Sequence, residues 1–148
     1  MMTRRMMVAA MLAMPSYAAP ALADENAPAT LYRNPNCSCC LAYANYLRSR
    51  GFDVTVDSKQ DLETVRKQLH VPENLAGCHV MVIDRYAVEG HVSAETINKL
   101  LAEKPDIVGI SIPGMPMGTP GMTGSKSGPF KVYEITINSG SPKVFATD

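Results

Sequence analysis

The chain is 148 residues long with 14 basic and 14 acidic side chains, so its formal net charge is zero and its length supports one domain. Only 19% of residues are charged and none form a long basic run, which removes the electrostatic footprint of a nucleic-acid binder; the 46% hydrophobic fraction is too high for a disordered chain. Sulfur is the anomaly: ten Met and four Cys stand against three His and no Trp.

Residues 1–23 begin with Arg4 and Arg5, run apolar from Met6 to Met14, and end Ala21-Leu22-Ala23 before Asp24. A charged start, a short apolar stretch and a small-x-small ending predict a cleavable secretory signal peptide. Pro15 and Pro20 interrupt a stretch already too short to span a bilayer. Six of the ten methionines (Met1, Met2, Met6, Met7, Met11, Met14) leave with it, as do two positive charges. The mature chain, residues 24–148, is then mildly acidic, keeps every Cys and His, and has no remaining membrane span. Its expected compartment, a bacterial-style periplasm or the exterior, permits disulfides. Arg4-Arg5 leaves the twin-arginine and general export routes both open.

In the mature chain, Asp24 to Thr30 reads as a mobile leader, and Leu31-Tyr32 as a short strand broken by Asn34-Pro35-Asn36. From Cys40 the period turns helical, with Cys40, Tyr43, Ala44 and Leu47 on one face and Gly51 as the stop. Phe52, Val54 and Val56 alternate with polar residues, as in a half-buried strand. Ser58 is positioned to cap a second helix carrying Leu62, Val65 and Leu69, ending near Val71-Pro72. Val80 to Ile83 suits a buried strand, with Tyr86 to Val92 as its hairpin partner across Asp84-Arg85. Ser93 caps a third helix through Ile97, Leu100 and Leu101, stopped by Pro105. Residues 105–129 hold five of the eleven prolines and six of the ten glycines, which predicts a long irregular loop. Phe130 to Ile137 and Lys143 to Phe145 predict a final hairpin. The order β-α-β-α-β-β-α, with cysteines between the first strand and first helix, predicts an α/β, thioredoxin-like fold: a mixed sheet flanked by helices, with the Gly/Pro/Met loop before the C-terminal hairpin.

Cys37-Ser38-Cys39-Cys40 packs a CxxC, a CxC and a vicinal pair into one helix start. Unpaired amides and the positive end of the helix dipole stabilise thiolate there. Dithiol exchange needs one attacking and one resolving sulfur, so a third points to ligation. Cys78, just before the Val80 strand, is expected to face this cluster from across the site. Two structural disulfides are the plain alternative, but three cysteines on one helical turn cannot all reach distant partners. Closed zinc sites usually come as two spaced pairs, whereas thiolates with thioether neighbours favour Cu(I).

Taken together, Leu31-Tyr32-Arg33-Asn34-Pro35-Asn36-Cys37-Ser38-Cys39-Cys40, Ala76-Gly77-Cys78-His79, Val88-Glu89-Gly90-His91-Val92 and the run from Ile112 to Met122 resemble the CopG-type copper-resistance proteins of Gram-negative periplasms. The resemblance runs through almost all of the mature domain. It implies a thioredoxin-like fold holding a copper cluster through its cysteines, with a redox role in copper handling.

The expected function is therefore periplasmic copper binding in resistance. Cys37, Cys39, Cys40 and Cys78 hold Cu(I), as a multinuclear cluster that can include Cu(II), with copper-dependent oxidoreductase activity left open. The expected partners are copper ions and other periplasmic copper-handling proteins. The alternative is a metal-free thiol–disulfide oxidoreductase using Cys37 as nucleophile and Cys40 as resolver. Met115, Met117 and Met122 share the Gly/Pro loop; packing is methionine's ordinary role, but beside a Cu(I) site three of them also suit ligation or shielding. His79 is a ligand only if its turn has not yet become regular strand, because neighbours on a strand point to opposite faces. His91 is either a ligand or a hydrogen-bonded structural histidine. His70 reads as a surface residue, Met81 as core, and Tyr43 and Tyr46 as packing groups.

Overall fold

The computed structural model describes residues 27–138 and 140–148, so the expected signal peptide, residues 1–23, lies outside the described residues. Seven strands form one mixed sheet in the order β2-β1-β3-β4-β5-β6-β7. They are β1 (Pro28–Arg33), β2 (Asp53–Asp57), β3 (His79–Ile83), β4 (Tyr86–Glu89), β5 (Gly109–Ser111), β6 (Lys131–Ile135) and β7 (Val144–Thr147). The helices are α1 (Ser38–Ser49), α2 (Leu62–Gln68) and α3 (Ala94–Glu103). Among the seven described strands only β1/β2 and β4/β5 pair in parallel, and these are the pairs joined through α1 and α3. A parallel neighbour needs a crossover of that length, whereas β3/β4 and β6/β7 close as antiparallel hairpins.

The two faces of the sheet are covered unequally. Cys40, Tyr43, Ala44 and Leu47 of α1, with Ile97 and Leu100 of α3, pack on Leu31, Met81, Ile83, Val88 and Ile110. Leu62 and Val65 of α2, with Val71 and Leu75, pack on Val80, Ala87 and Ile135 across the other face. The alternation of Val80 and Met81 to opposite faces follows from the pleat. Each fully buried aliphatic side chain of this kind contributes ~1.5–3 kcal/mol. Among the described residues no helix is long and apolar enough to cross a membrane.

The mixed α/β class and the three helices match the sequence reading, and the buried face of α1 is the one its period predicted. Three boundaries and caps differ. Pro28 to Thr30 is strand rather than leader, because Pro28 is the first residue of β1, where a missing N–H is tolerated. The cap of α2 is Asp61, whose carboxylate accepts from Thr64 N at 2.9 Å. Ser58 is excluded from that role by a turn in which Asp57 Oδ1 accepts from Lys59 N at 2.7 Å. The strand from Tyr86 ends at Glu89, since Gly90 turns with φ +75°.

Residues 105–129 also contain β5, a three-residue buried strand between β4 and β6. Its Gly109 is required: a Cβ there would collide with the Ala87 carbonyl of β4.

Topology then brings five segments to one end of the sheet. Arg33, the last residue of β1, pairs with His79, the first of β3. Cys37 and α1 follow just beyond Arg33, and Cys78 sits just before His79. Glu89 ends β4 opposite Val80 and Ser111 ends β5 opposite Glu89. His91 and the Gly/Pro/Met loop therefore emerge at this same end.

Candidate metal centre

Cys37 is the N-cap of α1 with extended backbone and no side-chain cap bond, and the first turn contains no acidic residue. Arg33 shapes the approach: its Nη1 donates to the carbonyls of Asn34 (2.9 Å), Pro35 (2.7 Å) and Cys37 (3.2 Å). The following turn of helix points Cys37, Cys39 and Cys40 toward the turn that carries Cys78.

The four sulfurs form a closed ring. Cys37 and Cys40 are joined as a disulfide with Cα atoms 5.5 Å apart. Cys37 Sγ lies 3.4 Å from Cys39 Sγ, Cys39 Sγ 3.7 Å from Cys78 Sγ, and Cys78 Sγ 3.6 Å from Cys40 Sγ. Cys40 is fully buried, while Cys37, Cys39 and Cys78 are half-buried. The convergence of Cys78 on the CxCC segment is the arrangement expected from sequence. Ligation by all four sulfurs first requires the Cys37–Cys40 bond to be reduced.

Two imidazoles complete the inner wall. Cys78 precedes β3, so strand alternation does not separate it from His79: His79 Nδ1 is 3.3 Å from Cys78 Sγ. His91 Nε2 is 3.1 Å from the same sulfur. His91 Nδ1 lies 2.6 Å from the Pro120 carbonyl, which can only accept, so Nδ1 carries the proton and the Nε2 lone pair faces Cys78. Cys78, His79 and His91 offer ligand atoms within 4.8 Å of one another, as do Cys37, Cys39, Cys40 and Cys78. Thiolate and neutral imidazole are donor types that suit copper.

Burial keeps both imidazoles neutral, pushing His79 down to about 3 and lowering His91. In the metal-free chain, burial together with the Cys39 thiol pushes the Cys78 thiol up to about 12. Cys78 is therefore protonated at neutral pH in the metal-free chain. His79 Nε2 is buried without a hydrogen-bond partner, and its ring packs 4.7 Å from that of Tyr43. Tyr43 in turn lies 5.1 Å from the His91 ring and donates to the Val92 carbonyl at 2.8 Å. It is a packing group, as expected, and the one that holds both imidazoles.

The methionines are placed differently from one another. Met115 and Met117 are 56% and 61% exposed and pack in no core, whereas Met122 is half-buried. The loop bearing them is nevertheless anchored to the site. Gly114 N donates to the Ala76 carbonyl at 3.0 Å, and Pro120 holds His91. Gly121 (φ +80°) lies so close to α1 that a Cβ would come within 2.6 Å of Tyr43 N. Met81 is buried and His70 exposed, as read from sequence.

Sequence reasoning missed a buried ion pair under the Cys78 turn. Arg66 Nη2 donates to Glu89 Oε1 at 2.6 Å and to the Gly77 carbonyl at 2.8 Å, while Gly77 N donates to Glu89 Oε1 at 2.7 Å. The pair thus grips both ends of the residue preceding Cys78. Burial raises the Glu89 carboxyl, and these hydrogen bonds oppose that rise. The available signal was a glutamate at the end of the apolar run Tyr86-Ala87-Val88, since a buried charge requires a partner.

A family model described as a protein of unknown function, DUF411, matches residues 75–122, which contain Cys78, both imidazoles and the methionine loop. No curated protein matches the chain. Two solved structures do, "Copper resistance protein copG- Form 1" and "Form 2". Each is 39% identical with a TM-score of 0.75, over 83% of this chain and 98% of that chain.

Proposed function

This chain belongs to the CopG family of copper resistance proteins, and on that premise we propose that it binds copper in the periplasm as part of copper resistance. The observation that carries this reading is the convergence of four cysteine sulfurs, with two neutral imidazoles against Cys78, at one end of the sheet. Reduced, Cys37, Cys39, Cys40 and Cys78 hold Cu(I) as a multinuclear cluster, because bridging thiolates at these separations each contact two neighbours. His79 and His91 extend the ligand set. Met115, Met117 and Met122 offer thioethers to copper from the loop anchored beside the site at Gly114 and Pro120.

Cleavage of residues 1–23 delivers residues 24–148 as one domain. Its first four strands, ordered β2-β1-β3-β4, support the thioredoxin-like reading. The test is the metal content of protein purified from copper-fed cells, with thiols counted on the same sample. Copper above one equivalent with four accessible thiols after its removal supports the proposal. Stoichiometric zinc, or no metal, contradicts it.

The Cys37–Cys40 disulfide favours a second reading, a metal-free thiol–disulfide oxidoreductase. That reading leaves Cys39, Cys78, both imidazoles and the methionine loop without a task. Robust insulin reduction by copper-free protein, unaffected by copper chelation, would support it over the first.

A further inference from the structure

We infer that Arg33 is a positioning residue of the sulfur ring, whose grip on the turn before α1 fixes Cys37 and so decides which cysteine it meets. Arg33 closes β1 directly opposite His79, and residues directly opposed on antiparallel strands share one face of the sheet. Its side chain therefore leaves the sheet on the face that bears the His79 imidazole and α1. Between Arg33 and Cys37 the chain must reverse and start a helix within three residues. Pro35 presets one backbone angle of that turn, and Cys37 N closes it on the Asn34 carbonyl at 3.1 Å. A helix start is normally fixed by an oxygen-bearing cap, but Cys37 makes no such bond. Arg33 fixes it from the strand side: one nitrogen, Nη1, donates to the carbonyls of Asn34, Pro35 and Cys37 together.

Two further observations mark the guanidinium as held for this grip. Its Nε is buried with no hydrogen-bond partner, a cost that an outward-turned arginine would escape. Among the described residues it makes no ion pair, so charge attraction does not account for the pose. The ring makes the placement of Cys37 consequential. Cys37 is bonded to Cys40, yet its Sγ also lies 3.4 Å from Cys39 Sγ, and Cys40 Sγ lies 3.6 Å from Cys78 Sγ. Cys39 and Cys40 are carried by α1 and Cys78 by the turn before β3, whereas Cys37 lies outside the helix as its cap. A small shift of the cap turn thus carries Cys37 from Cys40 to Cys39 and leaves Cys40 to Cys78. The pairing role stands apart from the copper reading above; its consequence for Cu(I) affinity rests on that reading.

The test uses mature protein carrying Arg33→Gln, Arg33→Lys or Arg48→Gln. Arg48 also donates to a backbone carbonyl, that of Val54, but from the far end of α1, so it controls for loss of stability alone. Metal-free chains are equilibrated with reduced and oxidised glutathione, quenched, and their disulfides mapped by peptide mass. In each pairing two cysteine thiols pass two electrons and two protons to glutathione disulfide: one S–S bond forms in the chain, the glutathione S–S bond breaks, and two glutathione thiols result. The parent and Arg48→Gln are expected to yield Cys37–Cys40 as the dominant bond. Arg33→Gln is expected to lose that dominance to Cys37–Cys39 and Cys40–Cys78, and Arg33→Lys, which keeps a cationic donor nitrogen, to restore it. In the reduced chains Arg33→Gln is expected to weaken Cu(I) binding by about tenfold, with the urea midpoints of Arg33→Gln and Arg48→Gln alike. Arg33→Gln paired like the parent, Arg33→Lys paired like Arg33→Gln, or loss of the fold in Arg33→Gln would each overturn the assignment, the last by making the residue structural. Failure of the reduced parent to bind Cu(I) would instead overturn the copper reading and leave the pairing result standing.

Discussion

His91 Nε2 lies 3.1 Å from Cys78 Sγ with its lone pair toward that sulfur, because the other ring nitrogen donates to the Pro120 carbonyl. One hydrogen bond from the Gly/Pro/Met loop thereby fixes the tautomer and orientation of an imidazole at the sulfur cluster. Such outer contacts are typically worth 10–100-fold in metal affinity. His91→Ala is expected to weaken Cu(I) binding by about that factor, measured by competition with a chelator of known affinity. Unchanged affinity would make His91 a packing residue only.

Copper loading is expected to depend on pH through Cys78. Its thiol is raised to about 12, so across the neutral range the metal must displace a proton. Apparent affinity should therefore rise by about tenfold per pH unit for each thiol proton released. Chelator competition between pH 6 and 8 checks the slope, and a flat profile would mean that Cys78 is not a ligand.

The metal-free fold should lose stability in acid. His79 titrates near 3 in the folded chain but near 6.5 when unfolded, and His91 is shifted in the same direction. Below pH 6.5 the unfolded chain takes up the proton first, so stability falls as pH drops from 6.5 toward 3 and is fully present above 6.5. The limiting slope for one such group is ~1.4 kcal/mol per pH unit. Urea unfolding at pH 7 and pH 4.5 measures it, and His79→Leu should flatten part of the difference.

Breaking the Arg66–Glu89 pair leaves an uncompensated charge under the Cys78 turn. Arg66→Leu is expected to cost ~3–5 kcal/mol in urea denaturation and to weaken copper binding by releasing the Gly77 carbonyl. A loss below about 1 kcal/mol would show that water reaches Glu89.

Elements with a clear period or cap were legible in the sequence. The α1 face and the Ser93 cap of α3 follow from spacing, and the arrival of Cys78 opposite the CxCC segment follows from the order of elements. What was not legible depends on partners distant in the chain. β5 has three residues, one a glycine, and exists because β4 and β6 flank it rather than because of its own pattern. Asp61 displaced Ser58 as a cap because Asp57 had already committed that stretch to a turn. The inward position of His79 depended on Cys78 lying one residue outside the strand, a boundary that hydrophobic pattern does not resolve. The grip of Glu89 and Arg66 on Gly77 joins residues on α2, β4 and the turn before β3, which no local motif encodes.

The central claim is that the converged sulfurs bind copper, and anaerobic Cu(I) titration of reduced mature protein tests it most directly. The account predicts an ultraviolet thiolate-to-copper band that saturates above one copper per chain and loses amplitude and stoichiometry in Cys39→Ser. A titration with no such band, or a Cys39→Ser variant that binds the same amount of copper, would contradict it.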